Sequence, residues 1–502
     1  MFPKSSLSLL FKLALIPLLI ILPCTVRANF DFNANCLKAY HAIFELKLGQ
    51  AKQLITAEKK VHPRNAIVPL LENYIDYFQL ITVESKADFD LFQERKSARL
   101  DQIEDEDPNS PYYLYAQAEI NLQWALIRSR YGEYFTAARE IKKANGQLQE
   151  NSKKFPGFHL NAKGLGLINV VLGNMPDGVL KKMLSAFGIK GNVQNGLALL
   201  DNLALNLPKS SYESFYEEVV FYYAFVLSDV VHAPDAYAKT MKYTERISDT
   251  SLLKAYLQAY VCARNGHNDE AISILDNRPA GEAYQPFPYL ELLMGTAKLN
   301  KLDNAGAAVC FKRFLQQNKG VNYIKDANLH LSWISILNGD TGAYNAYIAK
   351  IKASGYLYAE KDKQAANEAL APLPNTSLLK ARLLFDGGYF SKALNVLADQ
   401  DAANYKTTKD KAEFYYRSAR IYDALEKDDI ALTWYQNTIN AGKNLKYYYA
   451  ATAALNSGKI YAKKNNALKA AAYFNLAINM KDHEYENSIE TQARDGLRKL
   501  NH

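Results

Sequence analysis

Beyond residue 29, apolar residues recur every three to four positions along almost the whole chain, in stretches of helical length broken by Gly, Pro and short polar runs. The first stretch holds Ala39, Ala42, Leu46, Gly49, Ala51, Leu54 and Ile55 and stops at Lys59, Lys60, His62 and Pro63. This pattern predicts a helical hairpin, because two helices pack closely where small residues meet and larger neighbours fill the space beside them. A Tyr- and Phe-rich helical stretch between Pro69 and Leu100 follows, then the acidic run Glu104 to Asp107. That run lacks the Gly and spaced oxygen ligands of a calcium loop, so it reads as a solvated loop. Pro111 opens a further hairpin with Trp124, Ala125, Ala137 and Ile141, which closes near Phe155 and Gly157.

Gly164 to Leu200 reads as helix, turn, helix, turn, helix, with breaks at Met175–Gly178 and Gly188–Gly191. Its apolar runs are too short to cross a bilayer, as is the run Glu217 to Val231, which Ser228 and Asp229 interrupt. Both therefore read as packed helices, and Gly164–Leu200 as a packing core between two solenoid segments. In the C-terminal half the small residues Ala271, Ala307, Ala343, Ala393, Ala431 and Ala470 are separated by 36, 36, 50, 38 and 39 residues. A period of this size implies a helical solenoid, and Pro372 and Pro374 account for the long interval as an inserted loop or irregular helix.

The last hairpin carries Gly458, Tyr461, Ala470, Phe474 and Ala477, its predecessor Ala419, Tyr422, Ala431 and Tyr435, and an earlier one Gly295, Ala307 and Phe311. In these positions the chain resembles the tetratricopeptide repeat superfamily, most plainly over residues 251 to 480. Gly164, Asn169, Pro176, Leu184, Phe187, Gly188, Gly191, Gly196, Leu197 and Leu200 are similar to the eukaryotic tetratricopeptide family that includes inclusion-body clearance proteins. The resemblance implies an all-α, right-handed solenoid of helical hairpins, in one piece or as two sub-solenoids. We expect residues 1–28 to be a signal peptide, 29–250 an N-terminal helical region that includes 164–200, and 251–502 the clearer repeats.

The signal peptide is read from Lys4 and Lys12, the apolar run Leu13–Leu22, and the small-residue site Val26–Arg27–Ala28. It implies an exported protein of the periplasm, cell envelope or exterior, with no transmembrane span in the mature chain. The whole chain carries a formal charge of +8, and residues 1–28 hold three bases and no acid, so the remainder is +5. That charge is too diffuse to argue for nucleic acid. Cys36, Cys262 and Cys310 remain after cleavage, an odd number that closes no disulfide framework. Cys262 and Cys310 read as small buried hydrophobes, with a bridge between them as the alternative.

No catalytic pattern emerges. Gly164, Gly166 and Asn169 lack the third Gly and the preceding strand of a dinucleotide fingerprint, no Walker or G-x-S-x-G sequence occurs, and no histidine pair has i, i+4 spacing. We therefore expect no enzyme activity, no cofactor and no metal. What remains is a stripe. In tetratricopeptide hairpins the residue after the small position of the first helix faces the concave, peptide-binding groove, as the resemblance implies. Arg382, Arg420 and Lys459 occupy that position at intervals of 38 and 39, with Tyr416 and Lys463 on the same face. Such a row suits the carboxylates of an acidic or C-terminal peptide. The competing reading is a solvated face, with Asp423 neutralising Arg420 along one helix. The function expected is an exported scaffold or adaptor for protein or peptide partners; the alternative is a carbohydrate-binding envelope protein whose tyrosines stack on sugars.

Overall fold

The computed structural model describes residues 30–175 and 179–500, without the side chain of Val179. The expected signal peptide, and Pro176, Asp177 and Gly178 of the central turn, lie outside the described residues. The fold is an all-α solenoid of helical hairpins, and the described residues contain no strand. Helix α1 (Ala34–Phe44) pairs with α2 (Leu48–Val61), α3 (Val68–Val83) with α4 (Lys86–Glu104), and α5 (Pro111–Arg130) with α6 (Tyr134–Lys154). Helix α7 (Asn161–Asn174) pairs with α9 (Val193–Asn206), while the short α8 (Val179–Ala186) packs back on α6. Next come α10 (Tyr216–Phe225) with α11 (Ala236–Thr244), α12 (Leu252–Arg264) with α13 (Asn268–Asp276), and α14 (Tyr289–Asn300) with α15 (Asn304–Gln317). Helix α16 (Ile324–Leu337) pairs with α17 (Thr341–Ala353) and also takes α18 (Glu360–Glu368). The series ends with α19 (Thr376–Asp386) and α20 (Phe390–Leu397), α21 (Thr408–Ala424) and α22 (Asp428–Gly442), α23 (Tyr449–Lys463) and α24 (Ala467–Asn479), and a closing α25 (Glu486–Leu500).

Eight of the hairpins turn alike. Leu46, Gly132, Gly266, Leu302, Gly339, Gly388, Glu426 and Asn465 each end a first helix in the left-handed region, with φ from 58° to 81°. The next amide then donates to the carbonyl five residues back at 2.8–3.0 Å, which satisfies an otherwise orphaned helix-end carbonyl. From Gly266 onward these turns are 36, 37, 49, 38 and 39 residues apart. The long step contains α18, so the insert around Pro372 and Pro374 is a third helix plus its loop. In two hairpins a glycine of the first helix faces an aromatic of the second. A methyl group on Gly458 would meet the Phe474 ring at 2.6 Å, and one on Gly295 would meet Phe311 at 2.9 Å.

Closer still is the α7–α9 crossing, where a Cβ on Gly196 would lie 2.6 Å from the Gly166 carbonyl and one on Gly191 would lie 2.2 Å from the Gly173 nitrogen. The two backbones touch, which explains Gly166, Gly173, Gly191 and Gly196 without any ligand. One apolar core runs from Phe30 to Val321 and passes without a break across residue 250, through Leu252, Leu257, Leu275 and Leu290. At its centre Lys163 sits between Glu119 (2.9 Å) and Glu218 (2.5 Å), all three side chains at most 3% exposed. The hydroxyls of Tyr40 and Tyr74 donate to Glu218 at 2.5 and 2.7 Å.

The solenoid also folds back on itself. The Gln285 amide donates to the Leu46 carbonyl at 2.7 Å and the Val321 amide to that of Glu84 at 3.3 Å, which joins the first hairpins to those around α14. Farther on, the α12–α13 turn touches the α19–α20 turn so closely that a Cβ on Gly388 would lie 2.1 Å from the Gly266 carbonyl. The first helices of the hairpins consequently face inward around a shared concave surface. Cys36, Cys262 and Cys310 are buried free thiols.

Candidate functional site

The inner surface carries a row of hollows that share walls. One is a chamber of about 370 Å³ between α3, α5, α7, α10, α12 and α14, walled by Tyr77, Tyr222, Tyr256, Tyr260, Tyr289 and Tyr323. The last three of these also wall a wider hollow of about 780 Å³ that reaches Trp333, Arg382 and Arg420. Through Arg382 and Arg420 it adjoins a hollow of about 250 Å³ with Tyr416 and Arg417. Tyr416 and Arg420 then lead to a final hollow of about 410 Å³ bounded by Lys459.

Four of the five residues singled out from the sequence thus lie along one surface: Arg382, Tyr416, Arg420 and Lys459. Each comes from the first helix of a hairpin, α19, α21 and α23, so the repeat itself sets their spacing. Lys463 is elsewhere. It lines none of these hollows and pairs with Asp428 at 3.2 Å, one turn beyond Lys459 at the very end of α23. The three cations of the stripe differ in their surroundings. Arg382 stacks over Trp333 at 4.8 Å and donates to the two Glu368 oxygens at 3.1 and 3.4 Å. Burial pushes the Glu368 carboxyl up, but the Arg382 guanidinium outweighs it and holds the group below its usual range.

Arg420 lies over the Phe385 ring at 4.7 Å and donates to the Tyr416 hydroxyl at 3.0 Å. Among the described residues it forms no ion pair: Asp423 accepts the Tyr435 hydroxyl at 2.7 Å, and Asp386 acts on it only through space. Lys459 donates to the neutral Gln492 side chain at 2.9 Å. Its ammonium is held below the usual lysine range, first by burial and then by the positive field of Arg420. Arg420 and Lys459 thus form no ion pair among the described residues, with Asp386 and Asp423 near enough to act on them only through space, and Arg420 is set against aromatic rings.

The aromatic chamber was not legible as a site. Tyr260 occupies the same repeat position as Arg382, Arg420 and Lys459, and Tyr256 the same position as Tyr416, one turn earlier. Carrying the register of the stripe back into the α12 hairpin would have found both. Arg130, Glu84 and Asp229 complete the chamber from hairpins too irregular to place by period. Among the described residues no cluster of His, Cys, Asp and Glu could hold a metal ion, and no helix is long and apolar enough to cross a membrane.

No family model matches the chain, and no curated protein matches it. Solved structures similar to it include the APC/C hetero-tetramer Cut9-Hcn1, at a TM-score of 0.27 and 11% identity over 90% of this chain and 86% of that one. Yeast Tom70 gives 0.25 and 11% over 93% and 96%. Naa15/Naa10 bound to HypK-THB gives 0.23 and 13% over 93% and 67%. Superpositions this loose transfer nothing, and the reading of the fold rests on the hairpin turns and small-residue contacts described above.

Proposed function

We propose that this protein is a non-catalytic, exported scaffold that holds acidic protein segments along its concave surface. The observation that carries the reading is the pair Arg420 and Lys459. Both line one hollow of the inner face, and among the described residues their hydrogen bonds go to neutral groups and neither forms an ion pair, with Asp386 and Asp423 acting on them only from a distance. A carboxylate brought between them would gain charge-assisted hydrogen bonds that the free protein does not make. The neighbouring Phe385, Tyr416 and Tyr448 offer flat apolar area to the rest of a bound segment.

Fluorescence anisotropy with labelled peptides rich in Asp and Glu tests this. Binding should weaken with added salt and fall by about tenfold or more in Arg420→Glu/Lys459→Glu, whose circular dichroism should stay that of the parent. Equal affinity of the charge-reversed protein would sink the proposal. Export rests on the N-terminal residues alone. Intact-mass measurement of protein recovered from outside the cytoplasm should find a chain beginning at Asn29.

A further inference from the structure

The tyrosine-lined chamber between α3, α5, α7, α10, α12 and α14 has a chemistry different from that of the basic groove end. Most of its surface is apolar, contributed by Leu126, Leu167, Val171, Phe225, Leu253 and Phe314 among others. Its polar groups divide into those the protein uses and those it leaves open. Asp229 is used: it pairs with Arg264 at 3.0 Å and accepts the Tyr260 hydroxyl at 2.7 and 2.8 Å. Glu84 is used as well, by Nη1 of Arg130.

The open groups are donors. Arg130 spends one guanidinium nitrogen on Glu84, and Nε and Nη2 make no hydrogen bond to any described residue. The hydroxyls of Tyr256, Tyr289 and Tyr323 likewise make no hydrogen bond to any described residue, and all three residues line the chamber. Tyr256 and Tyr323 lie within electrostatic reach of the guanidinium. Ring contacts fix the group: Tyr289 meets Tyr323 at 5.0 Å, and Tyr256 meets Phe287 at 4.9 Å and Tyr289 at 6.1 Å.

We infer that this chamber binds a small carboxylic acid with an apolar body, of the medium-chain alkyl or aryl class, its carboxylate on Arg130 and the phenols of Tyr256, Tyr289 and Tyr323. A guanidinium edge and phenol hydroxyls supply donors where a carboxylate needs them, and both carboxylates already in the wall are neutralised. The apolar body removes the remaining wall from water. A volume of about 370 Å³ lies within the ~300–1,000 Å³ range of small-molecule sites and leaves no room for a folded partner. The walls shared with the wider hollow through Tyr260, Tyr289 and Tyr323 give the ligand its way in from the groove.

Titration calorimetry on the mature chain with decanoate, decan-1-ol and a peptide ending in leucine provides the test. Decanoate should bind with an affinity roughly tenfold or more above that of the alcohol, because only the acid makes the charge-assisted contacts. Arg130→Met should bring the acid down to the level of the alcohol. Since Arg130 also holds Glu84, the double variant Tyr289→Phe/Tyr323→Phe keeps the test sound if Arg130→Met does not fold; it removes two hydroxyls without changing shape and should weaken decanoate severalfold while leaving decanol unchanged. Arg420→Glu should leave decanoate binding intact, so failure of the groove proposal and failure of this one are separable. No decanoate binding, equal binding of acid and alcohol, or binding of the peptide alone would each overturn the assignment.

Discussion

Replacing Lys163 with Met tests whether the first core is built around charge rather than merely tolerating it. The substitution keeps the length and apolar stem of the side chain and removes only the ammonium. What stays behind is Glu119 at 3% exposure and Glu218 at 0%, with hydrogen bonds from Gln123, Tyr40 and Tyr74 but no counter-ion. Even with Lys163 present the cluster holds two carboxylates against one ammonium, and burial drives the Glu119 carboxyl well above its ordinary value. Without the ammonium the core has to take up roughly one further proton. Protonating a carboxyl of ordinary value 4.5 at pH 7 costs about 3.4 kcal/mol at ~1.36 kcal/mol per unit. That agrees with the ~3–5 kcal/mol lost when one partner of a buried pair is removed. At pH 5 the same protonation costs only about 0.7 kcal/mol, so the gap between variant and parent should narrow by roughly 2–3 kcal/mol. Urea unfolding followed by Trp124 fluorescence, in a background with Trp333 and Trp434 replaced by Phe, reads the first core directly. Adding Glu119→Gln to Lys163→Met should recover most of the loss at pH 7. A gap of the same size at both pH values would refute the charge argument and leave Lys163 as a packing residue.

Three further outcomes follow from the same structure. Gly388→Ala and Gly339→Ala both place a side chain at φ +81°, but only at Gly388 does the new Cβ meet backbone, 2.1 Å from the Gly266 carbonyl. Gly339→Ala should cost about 1 kcal/mol and Gly388→Ala clearly more, with equal unfolding midpoints refuting the contact between the two turns. Burial raises the Glu217 carboxyl to about 7 and that of Asp362 to about 6, the latter despite amide donation from Tyr323, Lys325 and Asp326. An acid raised on folding stabilises the protein below its unfolded value, and that contribution is lost as pH rises through the folded one. The denaturation midpoint should therefore drop between pH 5 and pH 8, and Glu217→Gln should flatten the drop. Burial pushes the Cys36 and Cys262 thiols up to about 12 and raises that of Cys310 as well. All three should resist a maleimide at pH 7 until denaturant is added, and rapid labelling of the folded chain would contradict their placement.

How far the sequence carried these conclusions depended on what each feature needs. The C-terminal hairpins were legible because one local requirement, a small residue against an aromatic as in Gly458 and Phe474 or Gly295 and Phe311, repeats at nearly constant spacing. The same repetition brought Arg382, Arg420 and Lys459 onto one surface, since residues in equivalent positions of stacked repeats must face the same way. Lys463 lies apart for a local reason: it is the last residue of α23, one turn past Lys459, where Asp428 of the neighbouring α22 pairs with it. The turn signal was harder to read than the helix signal, because the left-handed position is held by Gly in four hairpins but by Leu46, Leu302, Glu426 and Asn465 in the others. Pairings with no sequence period were invisible. Tyr40 and Tyr74 reach Glu218 from the first two hairpins because the solenoid folds back on itself, while Lys163 meets Glu218, and Arg130 meets Glu84, across neighbouring hairpins; nothing local to these residues announces either kind of pairing. The central glycines mark the same boundary. Their spacing was visible, but that Gly166 and Gly196 exist to let α7 and α9 touch required knowing which helix α7 meets. Closure is also what encloses the tyrosines. Rings that an open array of hairpins would expose singly are gathered from α3, α10, α12 and α14 into one chamber, so the same fold-back that buries the charged core creates the second candidate site.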